Sequence, residues 1–537
     1  MTRSPAEAPA RPVIALATLN ARYIHAALGL RYLLANMGEL RQLTVLSEFT
    51  IARPASDIAD ALLATLGDTE DEVQIIGLGV YIWNVQQTTE LMRLLRARRP
   101  ALILVLGGPE VSHEVERQEI TGLADYVITG WGDISFPELC RQLLAGQVPA
   151  NRVIAGVQPA LTQIAFPYAE YSDHDLAHRL LYVEASRGCP FKCEFCLSAL
   201  DKTAWAFPLD AFLAELAQLY ARGARTYKFV DRTFNLNTAI SARILQFFLE
   251  RIATDPDARL FVHFELIPDH LPDALKSLIA QFPAGSLQFE IGIQTFNPAV
   301  QQRISRRQDN EKSALNLRWL LEHSHAHLHT DLIFGLPGET LASFAAGFDR
   351  LYALKPHEIQ LGILKRLRGT PIDRHSLQFG MVYATEPPYT VLQTGSIDAD
   401  TLQRFTRFAR YWDLIANSGR FEQSAALLLD NTAIGTIPGT QETSAFFRFL
   451  AFADWLWQNK GETGGLSPEN LLDAIFAYLT GEAGLAPAHV RQTLLADYLA
   501  SGARGAPETL RGILPYRPPL DKKTRSLAQR QDQHGRS

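Results

Sequence analysis

The feature that most limits how this chain folds is an alternation of short apolar runs with longer helical patterns, present in two separate series. In the first, the strand-like runs Val13–Leu19, Val45–Glu48, Val73–Val80, Leu102–Leu106 and Tyr126–Ile128 alternate with helical patterns. These are Ala26–Asn36, Ile58–Leu66, Gln87–Arg98, His113–Ile120 and Pro137–Leu144. A helix-length crossover returns the chain to the same sheet in the same direction, so this order predicts a parallel, doubly wound (Rossmann-like) α/β domain over residues 10–150. Ligands of such sheets lie at the carboxyl ends of the strands. The loops there are Gly77-Leu-Gly79-Val-Tyr81-Ile-Trp83-Asn84, Gly107-Gly108-Pro109-Glu110 and Gly130-Trp131-Gly132-Asp133. None is a dinucleotide-binding GxGxxG turn or a P-loop.

A linker over residues 151–180, with Pro159, Pro167 and several tyrosines, leads into the second series. Its strands are expected at Leu181–Ser186, Tyr227–Val230, Leu260–Leu266, Leu287–Ile293, Leu328–Phe334 and Ile359–Leu364. Helical patterns lie between them at Pro208–Arg222, Thr238–Ile252, Asp273–Gln281, Ala299–Ile304 running into Glu311–His323, and Leu341–Leu354. Six β/α units over residues 181–375 predict a partial barrel with its functional loops on one face. From about Tyr389 only helices are expected: Asp398–Ser418, Ser444–Asn459, Pro468–Leu479 and Pro487–Leu499, a C-terminal all-helical domain over residues 389–515. The polar, basic stretch 516–537 reads as a flexible tail.

Composition narrows the class of function. Hydrophobic residues at 47% and charged residues at 20% are ordinary globular usage. A net charge of −6 gives no general field for bulk nucleic acid or an anionic membrane surface. No run approaches the roughly 18 apolar residues of a membrane-spanning helix, and residues 1–12 have no apolar run behind them suited to a signal peptide. A cytoplasmic protein without a membrane partner is the expectation.

Of the four cysteines, Cys189, Cys193 and Cys196 fall within eight consecutive residues and Cys140 stands alone, which is no disulfide framework. The spacing in Arg187-Gly188-Cys189-Pro-Phe-Lys-Cys193-Glu-Phe195-Cys196 lets one loop wrap its thiolates around a compact metal centre. Structural zinc would need a fourth ligand. Three thiolates on a [4Fe–4S] cluster leave one iron open to a small molecule.

This CxxxCxxC run, placed after a first barrel strand, resembles the radical S-adenosylmethionine (SAM) superfamily. Gly292-Ile-Gln294-Thr with Arg303-Ile-Ser-Arg306, Asp331-Leu-Ile-Phe-Gly335-Leu-Pro337-Gly338-Glu339, and Gln360-Leu-Gly-Ile-Leu364 resemble its later strand-end segments in the same order. The resemblance implies that Cys189, Cys193 and Cys196 ligate iron and that SAM sits on the open iron. It implies further that Asp231, at the end of the second strand, receives the methionine amine. Glu265, Glu290 and Gln294 lie on the catalytic side, Arg306 meets the SAM carboxylate and Leu364 borders the adenine. Asp231, Glu265 and Glu290 are the expected catalytic residues.

The first series resembles the cobalamin-binding (B12) half of one class of these enzymes. Gly107-Gly108-Pro-Glu110 and Gly130-Trp-Gly132-Asp133 match its GGP and GxGE signatures, with Asp133 where Glu is usual. Tyr81 and Trp83, with those four glycines, are the expected cobalamin contacts. No DxHxxG histidine is present in residues 13–150, and His25 reads as a polar contact. The runs Asn20-Ala-Arg-Tyr-Ile-His-Ala-Ala-Leu-Gly-Leu-Arg-Tyr32, Tyr81-Ile-Trp83-Asn84, Asp231-Arg-Thr-Phe234-Asn235 and Asn417-Ser-Gly-Arg-Phe421 are similar to a subgroup with an extra C-terminal helical domain and no settled substrate.

The implied activity is reductive cleavage of SAM to a 5′-deoxyadenosyl radical, with methylation of an unactivated carbon through methylcobalamin. Two alternatives stay open: a rearrangement or cyclisation in which cobalamin transfers no methyl, and a cobalamin or redox sensor without turnover. A methylthiotransferase needs three further cysteines for a second cluster, and only Cys140 exists. The substrate is expected to be a small molecule or peptide, and the electron source a one-electron donor such as flavodoxin or ferredoxin. Three features read as structural. The alternating His323, His325, His327 and His329 read as barrel lining or strand edge, Cys140 as core, and Arg96–Arg99 with Arg303–Arg307 as solvated helix ends, apart from Arg306.

Overall fold

A computed structural model describes residues 11–67, 72–429 and 444–515; the expected tail at 516–537 lies outside them. The contacts divide the chain into two compact units, one of residues 1–232, 366–371 and 384–389, the other of residues 233–365, 372–383 and 390–537.

The first unit opens with β1 (Ile14–Asn20), α1 (Leu28–Ala35), β2 (Thr44–Thr50), α2 (Ala55–Leu66), β3 (Ile75–Gly79), α3 (Val85–Arg98), β4 (Ile103–Gly107), α4 (Glu119–Gly122), β5 (Tyr126–Thr129), α5 (Ser135–Leu144) and β6 (Val153–Ala155). The strands form one parallel sheet in the order β2-β1-β3-β4-β5-β6. All seven residues of β1 are buried because both sheet faces are covered. Ala15, Ala17 and Leu19 pack with α2 and α3, while Ile14 and Leu16 pack with α1 and α5. Between β1 and β3 the connections leave in opposite directions, which opens a crevice at their carboxyl ends.

The helix expected at His113–Ile120 is absent. Glu114 takes a left-handed conformation, φ 52°, and Gln118 is extended, so only a short 3-10 turn and the single-turn α4 form. Side chains replace the missing helical bonds: Gln118 Nε2 donates to the carbonyls of Glu110 and His113, and the Thr121 hydroxyl bonds those of Val115 and Gln118. Residues 151–180, read as a linker, contribute β6 and α6 (Asp173–His178).

The unit continues with β7 (Leu181–Val183), β8 (Ser186–Arg187), β9 (Trp205–Ala206), α7 (Leu209–Ala221) and β10 (Thr226–Phe229). β7 and β10 are parallel, whereas β8 and β9 pair antiparallel and close the base of the cysteine loop. The expected continuous strand Leu181–Ser186 is interrupted because the Ala185 amide is diverted to Asp231 Oδ2.

The second unit holds α8 (Thr238–Thr254), β11 (Phe261–Leu266), α9 (Asp273–Ile279), β12 (Leu287–Gln294), α10 (Pro298–Arg303), α11 (Asn310–His323), β13 (His327–Phe334), α12 (Leu341–Tyr352) and β14 (Glu358–Ile363). β11 to β14 pair in parallel, each with the next. One face is apolar, with Val262, Phe264, Phe289, Ile291, Leu328, Leu332 and Ile359 buried. The alternate residues, among them Glu265, Glu290, His329 and Glu358 in one register row, form a polar face.

A two-strand ribbon follows, β15 (Val382–Tyr383) and β16 (Val391–Gln393), in a stretch where sequence suggested no strand. Then come α13 (Ala399–Ile415), α14 (Glu422–Leu429), α15 (Ala445–Lys460), α16 (Pro468–Gly481) and α17 (Pro487–Ala500). The helical region shares its core with the β/α part: Phe344 and Phe348 of α12 pack edge-to-face against Phe405, Phe408 and Trp412 of α13 and Phe446 of α15. Asn417 donates to the Ile359 carbonyl and accepts from its amide, both at 3.0 Å, capping the outer edge of β14. No helix among the described residues is long and apolar enough to cross a membrane.

Candidate functional site

The first unit contains a cavity of about 490 Å³ at the carboxyl ends of β3, β4 and β5. One wall is made of Gly77, Gly79, Gly107, Gly108, Gly130 and Gly132 with Tyr81. Side chains cover part of this wall, Phe136 against Gly77, Leu30 against Gly79 and Leu33 against Gly132, while Gly130 faces open space. Gly108 is required by its neighbours as well: at φ 109° an added Cβ would stand 2.5 Å from the Val80 carbonyl oxygen.

Tyr81 is held from two sides. Its amide donates to Asn84 Oδ1 at 2.8 Å, and its ring stacks on Trp83 at 4.5 Å and 7°. Asn84 is fully buried and donates to Thr18, Leu19 and Gly79, tying the ends of β1 and β3 together. Trp83, expected as a cofactor contact, does not line the cavity; it is 45% exposed, donates to the Leu19 carbonyl and backs Tyr81. His25 accepts or donates at 2.7 Å to the Tyr182 hydroxyl, the polar contact anticipated for it.

The opposite wall is formed by Glu184, Ser186, Arg187, Gly188, Ser198 and Asp201, which flank the cysteines. Arg187 donates two hydrogen bonds to Asp133, at 2.8 and 3.1 Å, and one to Glu184 at 3.0 Å. Its guanidinium also lies 4.4 Å from the Tyr32 ring and 4.8 Å from that of Trp131. Burial disfavours the Arg187 charge, but Glu184 and Asp133 more than offset it and hold its pKa above the ordinary value. Trp131 Nε1 donates to Asp201 Oδ2 at 2.8 Å. The Gly130–Asp133 loop and the cysteine loop are therefore joined at two points.

The cysteine loop is knotted internally. The Cys189 amide donates to the Asp201 carbonyl, and the Thr203 hydroxyl to that of Arg187. Gly188, at φ 83°, lets these strands of the loop meet: a Cβ there would stand 2.6 Å from Thr203 Oγ1 and 2.8 Å from the Ala204 amide nitrogen. Cys189 and Cys193 are buried and Cys196 half-buried. Among the described residues no three His, Cys, Asp or Glu side chains are grouped to hold one metal ion. A single zinc needs all its donors within ~2.3 Å of a point, whereas a multi-iron cluster spreads its thiolates wider and suits a soft three-sulfur set on one loop.

Asp231 is 3% exposed and already engaged: Ala185 donates to one oxygen at 3.0 Å and Ser186 to the other at 2.5 Å. Burial raises its pKa to about 7 against those hydrogen bonds. It ties the end of β10 to β8, while its neighbours Val230 and Arg232 line the cavity.

In the second unit Glu265 and Glu290 are register partners on the polar face, and Glu290 lies 3.2 Å from His263 Nε2. Gln294 occupies φ 67° at a register shift after Gly292, and Arg306 donates to the Gly292 carbonyl. Arg306 also donates to Gln308 Oε1, at 2.9 and 2.7 Å. Gln294 and Arg306 thus meet at one strand end. Leu364 is 1% exposed, its amide bonded to Phe334 and its carbonyl to Val391. His327 pairs with Glu358 at 3.0 Å and His329 lies 3.6 Å from Asp331, so these histidines line the polar face. Cys140 is wholly buried in the α5 core.

Sequence reading missed the working parts of Trp131, Arg187 and Asp201, and also a second clamp. Arg368 Nε and the Tyr389 hydroxyl donate to Glu110 at 2.8 and 2.7 Å, and Arg366 and Arg368 donate to Glu114. These partners are separated by 54 to 279 residues, so no local pattern marks them.

Residues 14–140 match the B12 binding domain, residues 183–351 the Radical SAM superfamily, and residues 377–533 the family described as Protein of unknown function (DUF4080). The chain is 27% identical over 297 residues, 50% of this chain and 60% of the relative, to tRNA-2-methylthio-N(6)-dimethylallyladenosine synthase of Sorangium cellulosum. It is 25% identical over 349 residues, 58% of this chain and 49% of the relative, to the cobalamin-dependent radical SAM methyltransferase TokK of Streptomyces tokunonensis. The chain therefore spans about half the length of the curated relatives it matches. The solved structure of the cobalamin-dependent S-adenosylmethionine radical enzyme OxsB with aqua-cobalamin bound shares its fold. The TM-score is 0.60 at 13% identity, over 91% of this chain and 81% of that one.

Proposed function

Because the chain joins a B12-binding domain to a radical SAM domain and continues into a DUF4080 region, we propose that it is a cobalamin-dependent radical SAM enzyme that methylates an unactivated carbon. The observation that carries this reading is the cavity with glycine loops of the B12-binding domain on one side and the flanks of the cysteine loop on the other.

In this reading Cys189, Cys193 and Cys196 hold a [4Fe–4S] cluster, and Tyr81, Gly107, Gly108, Gly130 and Gly132 receive cobalamin. Bound there, the cluster supplies the electron that cleaves SAM, and cobalamin carries the methyl group. The chain's residues position and exclude. The open glycines Gly107 and Gly130 leave room for a flat macrocycle, Tyr81 is fixed by Trp83 and Asn84, and Asp231 ties its strand end to Ala185 and Ser186. Gln294 and Arg306 offer an amide and a guanidinium at one strand end, a donor set suited to the amino-acid part of SAM. Glu265 and Glu290 lie on the polar face as candidates for substrate contact.

Per methyl transferred, two SAM are consumed. One leaves as S-adenosylhomocysteine, the other as methionine and 5′-deoxyadenosine carrying the substrate hydrogen, with two electrons drawn from a donor such as flavodoxin or ferredoxin. A cytoplasmic setting and a small-molecule or peptide substrate belong to the same proposal. TokK, a methyltransferase by name, favours this reading over rearrangement or cyclisation. The methylthio relative counts for less, since Cys140 is the sole cysteine outside the triplet.

The test is anaerobic reconstitution of the full chain with iron, sulfide and hydroxocobalamin, followed by SAM, a reductant and candidate substrates. Formation of both 5′-deoxyadenosine and S-adenosylhomocysteine supports the proposal. 5′-Deoxyadenosine alone would redirect it to a non-methylating radical reaction, and neither product to a sensor.

A further inference from the structure

The two contacts between the Gly130–Asp133 loop and the cysteine loop do more than fill space. Asp133 is 4% exposed and its carboxylate is taken by the Arg187 fork, while Trp131 is bonded to Asp201. Arg187 and Asp201 are also the residues whose backbone carbonyls cross-tie the cysteine loop, to Thr203 Oγ1 and to the Cys189 amide. The same two residues thus grip the front loop with their side chains and shape the cysteine loop with their backbones. Gly156, just after β6, backs the arrangement: a Cβ there would stand 2.0 Å from the Trp131 carbonyl oxygen.

The cavity is lined by Gly130, Trp131, Gly132 and Asp133 on one side and by Arg187, Gly188 and Asp201 on the other, so a ligand filling it would meet both loops. Whatever fixes one wall biases the other toward the conformation seen here. We propose that the Asp133–Arg187 and Trp131–Asp201 pairs couple the two cofactor sites, so that cobalamin binding and assembly of the iron–sulfur cluster each strengthen the other. This rests on the cofactor reading above. Asp133, Arg187, Trp131 and Asp201 are positioning residues in it. Coupling free energy between sites is reciprocal, so it is measurable from either side.

Hydroxocobalamin affinity is measured on the full chain with and without the reconstituted cluster, in wild type, Asp133→Asn and Trp131→Phe, with circular dichroism as the folding control. The expected result in wild type is binding about tenfold tighter with the cluster present, within the usual range of such couplings. Asp133→Asn should bring that ratio close to one. Trp131→Phe, which keeps an aromatic ring and deletes the indole N–H hydrogen bond, should reduce it about threefold and carries the test if Asp133→Asn does not fold. A wild-type ratio of one, or a ratio unchanged in the variants, overturns the coupling and leaves the cofactor assignment standing. A chain that binds no hydroxocobalamin or takes up no iron overturns both.

Discussion

Arg187 holds Asp133 through a two-point fork of 2.8 and 3.1 Å, reaching across 54 residues from the edge of the cysteine loop to a loop of the B12-binding domain. Both side chains are nearly sealed from water, at 11% and 6% exposure. Removing Arg187 would leave the buried Asp133 carboxylate uncompensated, at a cost of about 3–5 kcal/mol, whereas removing Asp133 leaves Arg187 still paired with Glu184 at 3.0 Å. Asp133 stands where the resembling domains carry the longer Glu, and the Tyr32 and Trp131 rings around Arg187 fix the guanidinium within its reach.

Gly188→Ala should disrupt the cysteine loop. At φ 83° the new Cβ meets Thr203 Oγ1, the Ala204 amide nitrogen and the Asp201 carbonyl oxygen within 3 Å, two of them backbone atoms with no room to yield. Iron and sulfide per chain after anaerobic reconstitution should fall to less than about half of wild type; full loading would show that the loop tolerates the change.

Cys193→Ala and Cys140→Ala should separate cleanly. The first removes one of three thiols on the candidate cluster loop and should abolish stable iron binding. Cys140 is fully buried, and burial pushes its thiol up to about 12, so it stays protonated and inert. Cys140→Ala should retain the iron content and lose about 1 kcal/mol of stability, read from iron analysis and denaturant titration.

Gly108→Ala tests the glycine wall. The substitution places a methyl group 2.5 Å from the Val80 carbonyl oxygen at φ 109°, and relief of that strain must move the Gly107–Glu110 loop. Hydroxocobalamin affinity should drop about tenfold, equivalent to ~1.4 kcal/mol, by equilibrium titration. An unchanged dissociation constant would argue that the wall is not a cobalamin contact.

Asn417→Ala should destabilise the second unit by about 1–3 kcal/mol, because it strips both hydrogen bonds from the Ile359 amide and carbonyl at a buried edge. Denaturant unfolding followed by circular dichroism measures it.

Glu339 provides a pH prediction. Burial raises its pKa to about 7, against hydrogen bonds from Thr295 and Ser343. The folded state thus favours the neutral acid, so this contribution is full below the unfolded carboxylate value of 4.5 and is lost as pH rises through about 7. The melting temperature of wild type relative to Glu339→Gln should fall across that window and level off above it. A difference that stays flat with pH would mean that Glu339 is ionised in the fold.

Strand and helix order was legible in the sequence because period-two and period-3.6 apolar patterns are local, and the cysteine loop because its three thiols lie within eight residues. Failures were local as well. His113–Ile120 has a helical pattern, but Glu114 at positive φ and the side-chain bonds of Gln118 and Thr121 compete for its backbone. The ribbon of β15 and β16 is too short to show a period.

By itself, then, the sequence determined the parallel sheets, the glycine loops and the three-thiol motif, each written within a few dozen residues. Only the tertiary structure decided that Trp83 backs Tyr81 instead of lining the cavity, and that Asp231 is a buried brace. It alone decided that Arg187 and Asp201 bind the B12-domain loop while shaping the cysteine loop. Such pairings join residues far apart in the chain, and they exist because folding buries polar groups that must then find partners wherever the topology brings them.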